Sequence, residues 1–260
     1  MNSHLISQYF LFWVRPEFLF LFLILGYLFI DQKIFRRTII LLLFTSVLGA
    51  VLKCIWKVPL APQLAKNWWA YPSGHTQFSV VMWLTLLYQL PRKWLLIKKW
   101  VVLPAGLYFM VDAGYHDWPE VFGGICSGII ISCCYIFWLL QENKNELAYR
   151  VSMFSIAAGM YAILTLTYNS VDFSWMAKII GLMIVACAVN NKTDMFIKHL
   201  TIPRKALLAG ITSLFGVLLA IYVKPTEFQH VIKFMHGVLL GVTFFYALPK
   251  LIGSSRFKSN

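Results

Sequence analysis

Residues 38–56 read TIILLLFTSVLGAVLKCIW, an apolar stretch that contains one charged residue, Lys53. A transmembrane α-helix needs about 20 mostly apolar residues to cross the hydrocarbon core of a bilayer, and this stretch has that length. Its apolar residues follow one another without the alternation that is typical of a barrel strand, so a helix is the expected form. The stretch therefore predicts a membrane-spanning helix.

The rest of the chain repeats this pattern. Of its 260 residues, 60% are hydrophobic and only 13% are charged, whereas a soluble domain has about 25% charged residues. We therefore predict an all-α integral membrane protein, a multi-span helical bundle in the bilayer. Its spans, about nine by the length criterion, are residues 16–31, 38–56, 74–90, 99–116, 119–140, 150–168, 174–190, 206–224 and 231–252. The N-terminus lacks the pattern of a removable signal peptide.

Positive charge is distributed unevenly among the loops. The net charge is +13, and most lysines and arginines fall in residues 31–37, 91–99, 141–150, 191–205 and 254–260. Cytoplasmic loops of membrane proteins carry such an excess. We therefore interpret the charge as membrane orientation and expect no nucleic-acid partner. The expected location is a bacterial inner membrane, with the opposite loops facing the periplasm or exterior.

The polar loop at 141–150 divides the chain into two predicted domains, a core at 1–142 and a C-terminal helical extension at 143–260. In the extension, the Glu227-x-x-His230 pattern is interpreted as a loop-exposed polar cluster and Asp172 as a solvated loop residue. Five cysteines occur without C-x-x-C spacing, so neither a zinc site nor a disulfide framework is expected.

Residues 71–78 read YPSGHTQF and place polar chemistry at the start of an apolar segment. Ser73 is a favoured helix N-cap, and Gly74 lets a ligand approach the backbone closely. A helix start offers free N–H groups and the positive end of the helix dipole, which together favour an anion. His75, in the first turn, can give a proton to a group bound there. The alternative is a capped helix start with an interfacial histidine.

Residues 114–120, GYHDWPE, lie at the matching level of the predicted bundle. A carboxylate at Glu120 can bond one nitrogen of His116, which fixes the tautomer and makes the other nitrogen more nucleophilic. Two histidines facing one anion suggest that one attacks phosphorus and the other protonates the leaving oxygen. Asp112 is a possible accessory group because carboxylates within membrane spans are usually functional; the alternative is a position near the water level.

These motifs resemble the type-2 phosphatidic acid phosphatase family, relatives of the vanadium haloperoxidases, over residues 20–140. That family's signature is K-x6-R-P, then P-S-G-H, then S-R-x5-H-x3-D; Pro72–His75 matches the second part, and His116 and Glu120 match the end of the third. The resemblance implies that His116 is a nucleophile forming a phosphohistidine, His75 the general acid and Glu120 the orienting carboxylate. It also implies that the backbone at Ser73 and Gly74 cradles the phosphate.

Both signature arginines are absent, since Leu60 and Met110 stand at their positions. Lys53 and Lys57, with Lys66 as a further possibility, are the candidates to supply positive charge. The expected function is a membrane phosphatase or phosphotransferase acting on a lipid phosphate or diphosphate at the non-cytoplasmic face, without metal or cofactor. Two alternatives stay open: a degenerate member that binds a phospholipid or a protein partner, and, more weakly, a transporter.

Overall fold

The computed structural model describes residues 9–60, 68–90, 101–141, 145–168, 171–189 and 229–247, together with 197, 200–204 and 207. Within these ranges there is no β-strand, and Pro59 and Trp69 form an isolated bridge. The helices of ten or more residues are α1 (Pro16–Phe29), α2 (Gln32–Trp56), α3 (Gly74–Gln89), α4 (Leu103–Asp112), α5 (Trp118–Leu140), α6 (Glu146–Thr167), α7 (Ser174–Ala188) and α8 (Gln229–Val242), the last continuing as a π-helical turn (Thr243–Ala247). The all-α prediction is confirmed.

Three of these helices are long and apolar enough to cross a membrane: α2 with 25 residues, α5 with 23 and α6 with 22. Shorter apolar helices occur at Phe18–Phe29 and Ser174–Ala188. Large apolar side chains project outward from α6, where Leu166 is 80% exposed, as expected of a surface that faces lipid. These features indicate a membrane protein. The count of nine spans stays a prediction, and most of the span at 206–224 lies outside the described residues.

The chain between α4 and α5 turns earlier than the predicted span at 99–116. The helix ends at Asp112, and Gly114 takes a positive φ of 71°, a conformation that glycine adopts readily at helix ends. Pro119 then stands in the first turn of α5, where its missing N–H has no cost. His116 therefore lies in a turn between two helices and not inside a helix.

The described residues form two compact units. The first comprises the residues up to Phe22 together with Phe44–Asn145, and the second comprises Leu23–Leu43 together with the residues from Glu146 onward. Helix α2 contributes its first part to the second unit and its last part to the first. The assignment of separate functional domains at 1–142 and 143–260 stays a prediction.

In the first unit, glycines let α5 pack closely on α3. A Cβ atom added to Gly124 would lie 2.7 Å from the carbonyl oxygen of Ser73 and 2.8 Å from Cβ of Thr76. One added to Gly128, a turn further along, would lie 2.9 Å from Val80. Any side chain at these positions would push the helices apart. The close approach holds the beginning of α3 beside the beginning of α5.

In the second unit, basic residues of α2 form structural contacts. Arg36 is fully buried, and its guanidinium donates to the carbonyl oxygen of Val189 at 2.5 Å. Arg37 and Glu146 form an ion pair at 2.6 Å. Arg150 also donates to the Val189 carbonyl, so cationic side chains bind the C-terminal end of α7, where carbonyl groups lack helical partners.

Candidate active site

Ser73 organises the beginning of α3. Its Oγ accepts hydrogen bonds from the backbone N–H and the hydroxyl of Thr76, at 3.4 and 3.1 Å, and the residue is fully buried. Its own N–H donates to the carbonyl oxygen of Glu120 at 2.9 Å. The Ser73 side chain is therefore the N-cap, as its residue type predicted. Gly74 is the first helical residue, so its N–H has no intrahelical acceptor and remains for an anion.

His116 and Glu120 meet through a short hydrogen bond. The distance from His116 Nδ1 to Glu120 Oε2 is 2.5 Å, and the side chains are 8% and 12% exposed. Glu120 Oε2 also accepts from the backbone N–H of Asp117 at 3.3 Å. With the proton of the neutral ring on Nδ1, the lone pair lies on Nε2. The four-residue spacing thus produces the predicted contact although the two residues do not share a helix.

The pKa of His116 lies below its ordinary value. Burial lowers this pKa because an imidazolium is poorly solvated there, and the effect outweighs the opposite influence of the Glu120 carboxylate. A neutral imidazole is the form that can attack an electrophile. The environment of His116 therefore favours its nucleophilic form near neutral pH.

The imidazole rings of His75 and His116 are neighbours. Their ring centroids are 6.1 Å apart, with 57° between the ring planes, and His75 is exposed. Two imidazole rings this close can both contact one phosphate group, one at phosphorus and the other at an oxygen. The structure therefore brings His75, His116 and Glu120 together at one helix start.

Lys53 reaches the same place from α2. Its Nζ donates to the carbonyl oxygens of Trp69 and Ala70, at 2.7 and 2.8 Å. Its Cε lies 3.9 Å from the position that a Cβ atom of Gly74 would occupy. An ammonium group has three N–H donors, so two of them hold the chain before α3 and the third remains. Lys53 thus brings a positive charge beside the free amide of Gly74.

The other predicted site residues have fewer described contacts with the beginning of α3. Lys57 is exposed just after α2 with a φ of 52°, and Asp112 is exposed at the end of α4. Within the described residues Asp112 has no hydrogen bond or ion pair that ties it to His116. Lys66 lies outside the described residues.

Met110 occupies the position of the second signature arginine. Its sulfur lies 3.9 Å from Ser73 Oγ and 4.0 Å from Thr76 Oγ1, and the residue is 4% exposed. The position aligned with the signature arginine therefore lies beside the beginning of α3. A thioether carries no charge and donates no hydrogen bond, so Met110 cannot hold a phosphate as arginine would.

An exposed aromatic cluster lies beside the histidines. Tyr108, Trp118 and Phe122 are 53%, 45% and 58% exposed, with ring centroids 6.4 Å apart for the first pair and 6.0 Å for the second. Rings of this kind concentrate at the membrane–water interface. The sequence analysis did not identify this cluster, although the four-residue spacing of Trp118 and Phe122 on α5 indicates a shared face.

Among the described residues, no group of three histidine, cysteine or acidic side chains is arranged to hold a metal ion. In comparisons with protein-family models, curated proteins and solved structures, no match to this chain was found. The phosphatidic acid phosphatase resemblance therefore depends on the motif residues alone and stays a prediction.

Proposed function

We propose that this chain is an integral membrane phosphatase or phosphotransferase that acts on a lipid phosphate or diphosphate through a phosphohistidine. The observation that carries the proposal is the position of His75 and His116 at the beginning of α3. Their ring centroids are 6.1 Å apart, and His116 is hydrogen-bonded to Glu120. These groups supply a nucleophile, an acid and an orienting carboxylate around one anion-binding helix start.

In the first step, Nε2 of His116 attacks phosphorus, and the bond from phosphorus to the leaving oxygen breaks. Protonated His75 gives its proton to that oxygen. The Glu120 carboxylate accepts a hydrogen bond from Nδ1–H of His116 and balances the positive charge that develops on the ring. The phosphoryl oxygens face the Gly74 amide and the Lys53 ammonium.

In the second step, water or an acceptor hydroxyl attacks the phosphohistidine and gives its proton to the now neutral His75. The nitrogen–phosphorus bond breaks, and its electron pair returns to Nε2 of His116. Phosphate or a phosphorylated acceptor leaves, and both histidines regain their starting protonation states. The same residues serve hydrolysis and transfer, and the acceptor that enters the site decides between them.

The surroundings of the site support a lipid substrate. The aromatic cluster of Tyr108, Trp118 and Phe122 is typical of headgroup depth, and α5, which carries Glu120, is long and apolar enough to cross a bilayer. A phosphate held at this depth belongs naturally to a molecule whose tail lies in the hydrocarbon. The charge distribution among the loops supports a non-cytoplasmic orientation for the site.

Met110 favours a second candidate, a catalytically degenerate protein that binds a phospholipid without turnover. Loss of one charge-assisted phosphate contact costs about 2–4 kcal/mol of transition-state stabilisation, or roughly 30- to 1000-fold in rate. Lys53 offsets this only in part, since two of its donors are engaged with carbonyl oxygens.

The deciding experiment measures phosphate release by the full chain in nanodiscs from a panel of lipid monophosphates and diphosphates, with His116→Ala as the control. We expect turnover by the wild type only, together with an acid-labile phosphoryl adduct on His116. Lipid binding by both proteins without any turnover above the control would establish the degenerate protein instead. Substrate flux in proteoliposomes without phosphate release would indicate a transporter.

A further inference from the structure

Helices α7 and α8 run parallel in the second unit. Ser174 near the start of α7 contacts Lys233 near the start of α8, and Val185 further along packs against Gly241. At Gly237, an added Cβ atom would lie 2.0 Å from the Lys178 carbonyl oxygen, so the two backbones touch. Because the helices are parallel, their N-terminal ends lie together, and the positive ends of both helix dipoles add.

Cationic and imidazole side chains lie along the N-terminal halves of both helices. Lys178 lies on α7, and Lys233 and His236 lie on α8. Asp172 is the carboxylate among the described residues here: its Oδ1 accepts from the Ser174 N–H at 2.8 Å, and its Oδ2 lies 3.7 Å from Lys233 Nζ. Asp172 is therefore occupied with capping α7 and pairing with Lys233, and the cluster keeps an excess of positive charge.

Two members of the cluster lack a counterpart. His236 is 6% exposed, and its Nε2 has no hydrogen-bond partner among the described residues. Lys178 is half-buried, and its carbonyl group lies against Gly237, the residue that follows His236. Lys178 forms no ion pair within the described ranges. Burial of like charges and of an unpaired imidazole nitrogen is unfavourable unless an anion or acceptor compensates for it.

We propose that Lys178, Lys233 and His236 form a second binding site, for a phosphate group, between the N-terminal halves of α7 and α8. A phosphate monoester carries about −1.5 to −2 charges at neutral pH and three strong acceptor oxygens, so it can accept from both ammonium groups, one of them shared with Asp172, and from one imidazole donor. A carboxylate has only two oxygens for these three donor groups. This site does not depend on the chemistry proposed for His116, which lies in the other unit.

His230 borders the proposed site on α8. Its Nδ1 lies 2.7 Å from the hydroxyl of Tyr161 on α6, which leaves Nε2 for other contacts. The sequence had suggested a loop-exposed polar cluster here. Instead, His230 lies in the first turn of α8 and is half-buried; Glu227 lies outside the described residues. The Tyr161 bond ties α6 to the same polar end of the unit.

Native mass spectrometry of the full chain, with phosphatidic acid titrated against a phosphatidylcholine background, tests the proposal. A His116→Ala background prevents turnover of the probe. Lys178→Met together with Lys233→Met should lower the affinity of one bound phosphatidic acid by about tenfold or more, since two charge-assisted contacts are removed. Lys33→Met, a matched loss of charge at a 55% exposed side chain paired with Glu146, should leave the affinity unchanged.

His236→Phe provides a second variant that keeps a buried ring and removes its nitrogen atoms, and it should also weaken the binding. Inorganic phosphate added as a competitor distinguishes the source of the group: displacement of the lipid shows a site for the free anion as well, and failure to displace it shows a site for the lipid headgroup. Unchanged phosphatidic acid binding by the folded double-lysine variant and by His236→Phe would overturn the proposal. Absence of turnover by the wild type would leave these binding results, and hence this second site, unaffected.

Discussion

Glu120→Gln separates the effect of the negative charge of this residue from the effect of its hydrogen bonds. In the structure, Oε2 of Glu120 accepts from His116 Nδ1 at 2.5 Å and from the Asp117 N–H at 3.3 Å. A glutamine amide has nearly the same size, and its oxygen can accept both bonds. The substitution therefore removes the negative charge and leaves the geometry in place.

The size of the effect follows from the kind of hydrogen bond that is lost. A bond to a charged group contributes about 1.5–3 kcal/mol and a neutral one about 0.5–1.5 kcal/mol, so the change costs about 1–2 kcal/mol. If the imidazole becomes positive in the transition state, kcat should fall by roughly 5- to 30-fold. The Glu120 carboxylate also raises the pKa of His116, so its removal should move the acid limb of the pH–rate profile to lower pH.

The assay is phosphate release from a lipid monophosphate in nanodiscs, measured across pH for the wild type, Glu120→Gln and Asp117→Asn. Asp117→Asn is the matched control, because it neutralises a carboxylate one residue from His116, whose ring is hydrogen-bonded to Glu120 instead. We expect a lower kcat and a shifted acid limb for Glu120→Gln and a near-normal profile for Asp117→Asn. Equal profiles for all three proteins would refute the assigned role of Glu120.

Gly124→Ala should destabilise the protein by about 1–3 kcal/mol, since its Cβ would collide with Ser73. Gly159→Ala, with open space around it, should stabilise α6 by up to about 1 kcal/mol. The midpoints of thermal unfolding in detergent compare the two variants. On the acid side, wild-type activity should fall only at pH values below the ordinary histidine pKa, because His116 must be neutral to attack and burial lowers its pKa. An acid limb above pH 6.5 would contradict this. Lys53→Met should lower both thermal stability and kcat/KM, and Lys57→Met should lower each of them less. If the two variants had equal effects in the unfolding and enzyme assays, the assigned role of the Lys53 contacts would be wrong.

Local chemistry in the sequence predicted two of the local contacts correctly. Ser73 is the N-cap that its residue type and position indicate, because capping depends on neighbours within one helical turn. His116 and Glu120 meet because residues four apart lie close in either a helix or a tight turn. The all-α class follows from apolar runs, which need no knowledge of tertiary contacts.

Contacts between segments that are distant in the chain could not be predicted from the sequence patterns. Lys53 was a candidate phosphate ligand, and nothing in its spacing indicated that it also binds the carbonyl groups of Trp69 and Ala70. The polar cluster at the ends of α7 and α8 was missed, because Lys178 and Lys233 are separated by 55 positions in the chain. Such residues come together only through helix packing, for which a single sequence carries no direct signal.

The aromatic cluster of Tyr108, Trp118 and Phe122 has a kinetic consequence for a lipid substrate. A site held at headgroup depth meets its substrate by lateral diffusion in the plane of the bilayer. The encounter rate then depends on the mole fraction of substrate among the surrounding lipids and not on its bulk molarity. For the proposed reaction, adding neutral lipid to the same vesicles should slow phosphate release, whereas diluting the vesicle suspension with buffer should leave the turnover of each protein molecule unchanged.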